Sequence, residues 1–306
     1  MMIPPNPLQQ RMLSVILENG SLRSSHVHET LERLHEDVSL VTVKRALGNL
    51  VRMKFLSLKG EGRSTSYSIA TNGRIFLMID AAKYCSKEPD VRTGSTGFNF
   101  ALLEEISGDI FTNTELQTLE EATKIYKRRT KDVSTTIAKK EMERLIIELS
   151  WKSSKIEGNT YTLLDTEKLI LEQRVAPGHK KSEAQMILNH KDAFSFIHAH
   201  SKDFQTLTRA NLEHLHHEIV KGLDVGEGLR RSPVGITGSL YRPLDTIHQI
   251  TDAMQLLTKT IARMKTPYAK ALMAILGISY VQPFEDGNKR TSRLMANALL
   301  LANGCA

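Results

Sequence analysis

The stretch that decides the fold lies near the C-terminus, where residues 278–301 read ISYVQPFEDGNKRTSRLMANALLL. Two apolar segments with helical periodicity flank a short turn that carries two carboxylates, a Gly-Asn pair and three basic residues. Pro283 ends the first helix, because proline disfavours helical geometry in the residue before it. Asn288 is a good N-cap for the second helix. The turn therefore presents free backbone N–H groups and the positive end of a helix dipole, which predicts an anion site.

The side chains of this turn favour phosphate as the anion. Arg290 and Arg293 are three residues apart and project from one helix face, and guanidinium groups suit phosphate oxygens. Gly287 lets the backbone approach a ligand closely. Asp286 or Glu285 could hold a hydrated Mg²⁺ ion that bridges phosphates. Each feature has an ordinary structural reading by itself, and their order between two buried helices favours the phosphate site.

Length and composition indicate the class of protein that carries this turn. The chain of 306 residues is long enough for two domains and has the apolar and charged fractions of a soluble globular protein. Its formal net charge of +7 favours an anionic partner such as a nucleotide or a nucleic acid, although a surface without such a partner can carry this excess. Cys85 and Cys305 lie far apart and outside metal-ligand spacing, no segment has the apolar core of a signal peptide, and no apolar run reaches membrane-spanning length. We expect a cytoplasmic protein that interacts with no membrane.

Residues 1–80 carry three amphipathic segments followed by two alternating, strand-like segments around Gly60 and Gly62. This order resembles the winged helix-turn-helix family, with residues 40–54 as the recognition helix and 59–66 as the wing. The resemblance implies DNA contact through Lys44, Arg45, Asn49, Arg52 and Arg63. Winged helices also serve as protein docking and dimerisation modules, so a homodimer is a second expectation.

Residues 81–97 are rich in Gly, Ser, Thr and charged residues, as linkers are, and residues 98–306 form the second predicted domain. Helical periods dominate this second domain, without an internal repeat. The predicted fold is therefore mainly α. The helical periods cover residues 115–130, 134–157, 163–174, 182–200, 208–221, 245–264, 267–280 and 288–302.

The turn QPFEDGNKRTSR resembles the signature of the Fic family, which has a His, Pro-Phe, an acidic residue, Gly-Asn-Gly-Arg and a second Arg three residues later. Residues 226–244, GEGLRRSPVGITGSLYRPL, resemble the flap of that family. The resemblance implies an all-helical core with a small β-hairpin flap. It also implies transfer of AMP from ATP to a hydroxyl of a protein or of the chain itself, with Mg²⁺ as cofactor.

The resemblance implies a role for each matching residue. Asp286, or Glu285 beside it, would hold Mg²⁺, and Arg293 would anchor the outermost phosphate. The other nucleotide-binding residues would be Gly287, Asn288, Lys289 and Arg290, and the target chain would be clamped by strand addition along Ile236, Thr237, Gly238, Ser239, Leu240 and Tyr241.

A second clue is the helix predicted over about 134–158, whose apolar stripe of Met142, Leu145, Ile146 and Leu149 continues to Ser153, Ile156 and Glu157. A carboxylate on a core-facing stripe is costly unless it is paired. Ser153, Glu157 and Gly158 resemble the inhibitory motif that many Fic proteins carry. The resemblance implies that Glu157 pairs with Arg293 and blocks the γ-phosphate of ATP. The ordinary alternative is a helix end whose Glu points to water.

Two residues depart from the Fic pattern. Lys289 stands where adenylylating members have Gly, and a Lys here is also typical of Doc-type toxins, which transfer a phosphoryl group; Arg293 and the inhibitory Glu favour AMP transfer. Gln282 stands where the family has the His that acts as general base, and an amide cannot take up the proton. Loss of such a base costs about two to four orders of magnitude in rate. We therefore expect an impaired adenylyltransferase, a member that finds its base elsewhere, for example His248, or a nucleotide-responsive DNA-binding regulator without catalysis.

Overall fold

A computed structural model of the protein describes residues 3–92 and 94–305, apart from the side chain of Arg63. Contacts between residues divide the chain into two units, Met1–Gly94 with Ala101–Thr114, and Ser95–Phe100 with Glu115–Ala306. None of the helices in the described ranges is long and apolar enough to cross a membrane.

The first unit begins with three helices and a two-stranded antiparallel sheet, in the order expected from the sequence. Asn6 and Gln9 form a capping box at the start of α1, and Ser39 caps α3 through the N–H of Thr42. Strands β1 and β2 pair from Leu56 with Ile69 to Lys59 with Ser66. The elements are α1 (Pro7–Asn19), α2 (Ser24–Arg33), α3 (Leu40–Arg52), β1 (Leu56–Lys59), β2 (Ser66–Ile69), α4 (Thr71–Ile75), α5 (Ala81–Cys85) and α6 (Phe100–Glu105).

The second unit consists of helices, and each helical period predicted from the sequence coincides with one. Helices α13 and α14 pack against each other on either side of the turn at 282–287, and α14 also packs on α10 and α11. Gly277 on α13 allows close packing with α12, because a Cβ there would lie 2.2 Å from Leu257 Cδ1. The helices are α7 (Asn113–Thr130), α8 (Thr135–Ile156), α9 (Leu163–Glu172), α10 (Lys181–Ala199), α11 (Arg209–Val220), α12 (Ile247–Arg263), α13 (Pro267–Val281) and α14 (Asn288–Ala302).

The flap, residues 226–244, does not form the predicted β-hairpin. It consists of turns and extended backbone, and its one β-type pairing is an isolated parallel bridge between Arg242 and Gly97, outside the flap. Pro233 and Pro243 stand on the two arms where the strands would pair, and proline has no N–H to donate to a ladder. The flap is held instead by bonds to the turn that follows α13, since the N–H of Arg230 donates to Pro283 O at 3.0 Å.

The buried face of α8 also differs from the predicted apolar stripe. Leu145 is 43% exposed and Ile156 is 67% exposed, whereas Ile147 is 7% and Ser150 is 0% exposed. Helix α8 packs against α9 and α10. Serines at 150, 153 and 154 are small enough to lie at this helix–helix contact, so the buried face follows them rather than the larger apolar residues.

Candidate active site

The turn between α13 and α14 is closed by its own side chains. Gln282 and Gly287 both adopt left-handed backbone conformations, with φ of 50° and 77°. Gly287 occupies the N-cap position, so the prediction that Asn288 caps α14 is wrong by one residue. The Asn288 amide instead accepts the Phe284 N–H at 2.9 Å and donates to Phe284 O at 2.8 Å. Its side chain therefore shapes the turn, which leaves its backbone N–H to face a ligand.

Gln282, in the place of the expected general base, is 7% exposed. The side-chain N–H of Gln282 donates to Ser279 O at 2.7 Å, and the backbone carbonyl of Gln282 accepts from Arg230 Nε at 2.6 Å. The side chain thus fits into the last turn of α13. A carboxamide at this position can hydrogen-bond to a hydroxyl, but it has no basic atom to receive a proton.

A cavity of about 190 Å³ lies in front of the turn. The structure brings together here most of the residues predicted for nucleotide, metal and inhibitory roles. The lining consists of Glu157, residues 234–237 of the flap, Gln282, Glu285, Asp286, Gly287, Asn288 and Lys289.

Arg290 is buried beside this cavity, with 2% of its side chain exposed. Its Nη2 donates to Asp286 Oδ2 at 3.0 Å, whereas its buried Nη1 has no hydrogen-bond partner among the described residues. Burial is the main cause that lowers the pKa of Arg290, and the Asp286 carboxylate opposes it. A buried guanidinium with an unmet donor suits an anionic ligand.

Arg293 is bound to the end of α8. Its Nε donates to Ser153 Oγ at 3.0 Å, and its Nη2 donates to Ser153 O at 3.0 Å and to Glu157 Oε1 at 2.8 Å. The Arg293 and Glu157 side chains are 24% and 22% exposed. The carboxylate that the sequence placed on a core-facing stripe is therefore paired, and its partner is the second arginine of the turn.

The two candidate metal carboxylates differ in their surroundings. Asp286 is 68% exposed, and its Oδ2 accepts a hydrogen bond from Arg290. Glu285 Oε2 accepts the Gly226 N–H at 3.2 Å. No cluster of three or more metal-ligating side chains occurs in the described ranges. One or two carboxylates fit Mg²⁺ where phosphate oxygens and water complete its coordination, as is common for this ion.

Two residues that support the site were not among those predicted from the sequence. His216 stacks on Phe284 with ring centroids 3.7 Å apart and donates from Nε2 to Asp286 O at 3.0 Å. Arg230 is 2% exposed and donates to three backbone carbonyls, those of Gln282, Ser232 and Leu244. Both residues hold the turn and the flap in place, and their sequence neighbourhood carries no signal of it.

His190 of α10 lies close to both arginines of the turn. Burial, followed by the charges of Arg293 and then Arg290, lowers the pKa of His190 from 6.5 to about 3. The imidazole is therefore neutral at physiological pH, so it does not add a third positive charge behind the site.

In the first unit, α3 has the two faces that its sequence predicts. Val43, Leu47 and Leu50 are fully buried. Lys44, Arg45 and Arg52 are exposed, and Asn49 is half-buried and accepts a hydrogen bond from Arg52. The side chain of Arg63, predicted to contact DNA from the wing, lies outside the described residues.

Comparisons of this chain with known proteins give matches that include the turn between α13 and α14. Residues 206–300 match the sequence model of the Fic/DOC family. The chain is 30% identical over 179 residues to "Protein adenylyltransferase Fic" of Aedes aegypti, a match that covers 56% of this chain and 35% of that protein. It is 31% identical over 160 residues to the protein of the same name from Culex quinquefasciatus, covering 50% and 32%. The chain thus spans about a third of the length of these relatives.

Solved structures resemble the fold. Fic-1 of C. elegans (aa134–508) superposes with a TM-score of 0.52 at 19% identity, over 62% of this chain and 56% of that one. A Fic family protein from Desulfovibrio desulfuricans G20 superposes with a TM-score of 0.54 at 20% identity, over 64% and 62%. At such identities the likeness concerns the fold alone. Residues 206–300 therefore match the Fic/DOC family, and the wider second unit shares the fold of solved Fic proteins.

Proposed function

We propose that the protein is a Fic-type protein adenylyltransferase, which transfers AMP from ATP to a hydroxyl of another protein or of its own chain and is restrained by Glu157. The names of the relatives support the reaction type. The single observation that carries the proposal is the bond of Arg293 to Glu157 at 2.8 Å, beside a cavity lined by the Gly287 turn.

The nucleotide would be held mainly by the start of α14. The backbone N–H groups of Asn288 and Lys289, which as first-turn residues have no intrahelical partner, would receive phosphate oxygens together with Arg290. Arg293 would receive the outermost phosphate. Asp286, with Glu285 beside it, would hold Mg²⁺, which neutralises phosphate charge when it is bound.

Glu157 restrains the reaction in this proposal because it competes for Arg293. Nε and Nη2 of Arg293 are already engaged by Ser153 and Glu157. A γ-phosphate must displace the carboxylate to reach this guanidinium. ATP would then bind weakly or with its phosphates out of line, and positioning is most of what catalyses phosphoryl and nucleotidyl transfer.

Gln282 limits the reaction in a second way. The attacking hydroxyl must lose its proton, and the carboxamide cannot take it up. We expect activity about two to four orders of magnitude below that of a form with His at this position.

Intact-protein mass spectrometry after incubation with ATP and Mg²⁺ tests the proposal. Four forms should be compared: the natural chain, Gln282→His, Glu157→Gly and the double variant. We expect added AMP mass in the Gln282→His forms and most in the double variant, with Lys152→Ala on α8 in the Gln282→His background as a control that gains nothing further. The absence of added AMP from the double variant would refute the proposal. Added phosphoryl mass would instead identify a Doc-like phosphotransferase, the reading that Lys289 keeps open.

A second candidate function is a nucleotide-responsive DNA-binding regulator that catalyses nothing. The exposed basic face of α3, followed by the β1–β2 hairpin, supports a winged helix-turn-helix in residues 1–80. A gel-shift assay tests DNA binding with the triple variant Lys44→Ala, Arg45→Ala, Arg52→Ala. It should weaken binding strongly, whereas Lys83→Ala with Lys87→Ala should not. Equal shifts for both variants would remove α3 from the DNA interface.

A further inference from the structure

Residues 95–99, which the sequence predicts to lie in and just after a linker, are docked along the flap. The N–H of Arg242 donates to Thr96 O at 2.7 Å, and Gly97 forms a parallel β-bridge with Arg242. This is the backbone pairing that an extended peptide makes when it adds to the edge of a strand. The edge of the flap at Arg242 is therefore occupied by the protein's own chain.

A row of aromatic rings anchors the same segment. Phe98 stacks on Tyr280 with ring centroids 4.6 Å apart, and Tyr280 stacks on Tyr241 of the flap at 4.9 Å. The Asn99 N–H donates to Tyr280 Oη at 2.8 Å, and Tyr241 Oη donates to Tyr280 O at 2.7 Å. Phe98 is thus held by a ring contact with α13, and Tyr280 of α13 in turn contacts the flap.

The docked segment lies next to the candidate active site. Thr96 and residues 234–237 and 239–242 of the flap line a cavity of about 530 Å³. Residues 234–237 also line the cavity in front of the Gly287 turn. Because the two cavities share this wall, a chain that lies where residues 96–98 lie is adjacent to the place of reaction.

Residues 95–99 are mostly exposed, so few contacts would have to break for this segment to leave the flap. Thr96, Gly97 and Asn99 are exposed, and Phe98 is half-buried. A Cβ on Gly97 would meet no atom within 4 Å, so the middle position accepts residues larger than glycine. Recognition therefore depends on the backbone at Thr96 and on the aromatic ring two residues later.

We propose that residues 95–99 are an internal ligand of the flap, and that this edge selects an extended peptide whose residue at the Thr96 position is followed, two residues on, by an aromatic residue. The inference rests on the proposed function in one respect, that the flap holds the target chain. A target must displace residues 95–99 before it can pair with Arg242. The segment thus restrains target binding independently of Glu157, which restrains ATP.

Fluorescence anisotropy with a labelled peptide of residues 94–100, GSTGFNF, tests the inference on the full chain without nucleotide. The Phe98→Ala variant should bind this peptide roughly tenfold more tightly than the natural chain, because loss of one stacked ring weakens the internal competitor by about that factor. The peptide GSTGANF, which has alanine at the position of Phe98, should bind both forms about tenfold more weakly than GSTGFNF does.

Two further variants make the result specific. Val91→Ala, at a residue 62% exposed, should bind the peptide as the natural chain does. Phe98→Leu keeps an apolar side chain and removes the stacked ring from the internal segment alone, so it should bind the peptide about two- to fivefold more tightly than the natural chain. This conservative change also serves if Phe98→Ala unfolds.

Equal peptide affinity in the natural chain, in Phe98→Ala and in the conservative variant would overturn the inference. The absence of saturable peptide binding in all three forms would also overturn it. These outcomes do not depend on AMP transfer. Failure of transfer in the mass-spectrometric test, together with tighter peptide binding by Phe98→Ala, would overturn the adenylyltransferase proposal and leave the internal ligand standing.

Discussion

Glu157→Gln separates the charge of Glu157, for which we propose an inhibitory role, from its shape. In the structure, Glu157 Oε1 accepts from Arg293 Nη2 at 2.8 Å, and both side chains are about three-quarters buried, with 24% and 22% exposed. Glutamine keeps the length of the side chain and an acceptor oxygen. The two bonds from Arg293 to Ser153 remain available in the variant.

The magnitude follows from the kind of bond that is weakened. The ion-paired hydrogen bond contributes about 1.5–3 kcal/mol and a bond from Arg293 to a neutral amide about 1 kcal/mol, so the substitution weakens the hold on Arg293 by about 0.5–2 kcal/mol. If Glu157 competes with the γ-phosphate, ATP affinity should rise by the same free energy, roughly two- to thirtyfold. ADP has no γ-phosphate, and its affinity should change by less than about twofold.

Isothermal titration calorimetry with ATP and with ADP, each with Mg²⁺, measures both affinities. The natural Gln282 is an advantage here, because slow chemistry leaves binding undisturbed. Glu148→Gln, on the same helix and paired with Lys152 at the surface, is the matched control and should change neither affinity. Equal gains for ATP and ADP, or no gain for ATP, would refute the assignment of Arg293 to the outermost phosphate.

Two predictions concern the supports of the site. Arg230→Met leaves three backbone carbonyls without their donor, and the bonds to two of them are buried, so it should lower the free energy of unfolding by about 3 kcal/mol in urea titrations. Arg231→Met, at an exposed position, should stay within about 0.5 kcal/mol of the natural chain, and equal effects of the two changes would contradict the role of Arg230. The pKa of His190 is lowered to about 3 in the folded protein, so below pH 6.5 the unfolded chain takes up a proton that folded His190 does not, and stability is lost as pH falls from 6.5 toward 3. His190→Gln should therefore reduce the loss of unfolding free energy between pH 7 and pH 5 by about 2 kcal/mol, and identical pH profiles of the two forms would contradict the burial argument.

The sequence predicts most of what is local in this protein. The period of apolar residues predicts every helix from α7 to α14, and the face of α3 that buries Val43, Leu47 and Leu50. Pro283 and Gly287 mark the turn because backbone preferences act on single residues. The predicted buried stripe of α8 is wrong in part, because the period of apolar residues along a helix does not say whether large apolar or small polar residues face the neighbouring helix.

The resemblance to the Fic family predicted a long-range contact that local sequence patterns cannot predict. The pairing of Glu157 with Arg293 joins residues 136 positions apart, and no periodicity or charge pattern selects that partner. The same resemblance predicted a hairpin flap that the chain does not form, since Pro233 and Pro243 interrupt its ladder.

The sequence by itself determined the helices, the sharp turn at 282–287 and the set of side chains that suits phosphate, because these depend on neighbours within one or two helical turns. Only the tertiary structure decided that Arg230 donates to the carbonyl of Gln282, that His216 stacks on Phe284, and that Phe98 stacks on Tyr280. These contacts depend on how packed helices approach one another, and that approach is set by the volume and shape of side chains from distant segments together.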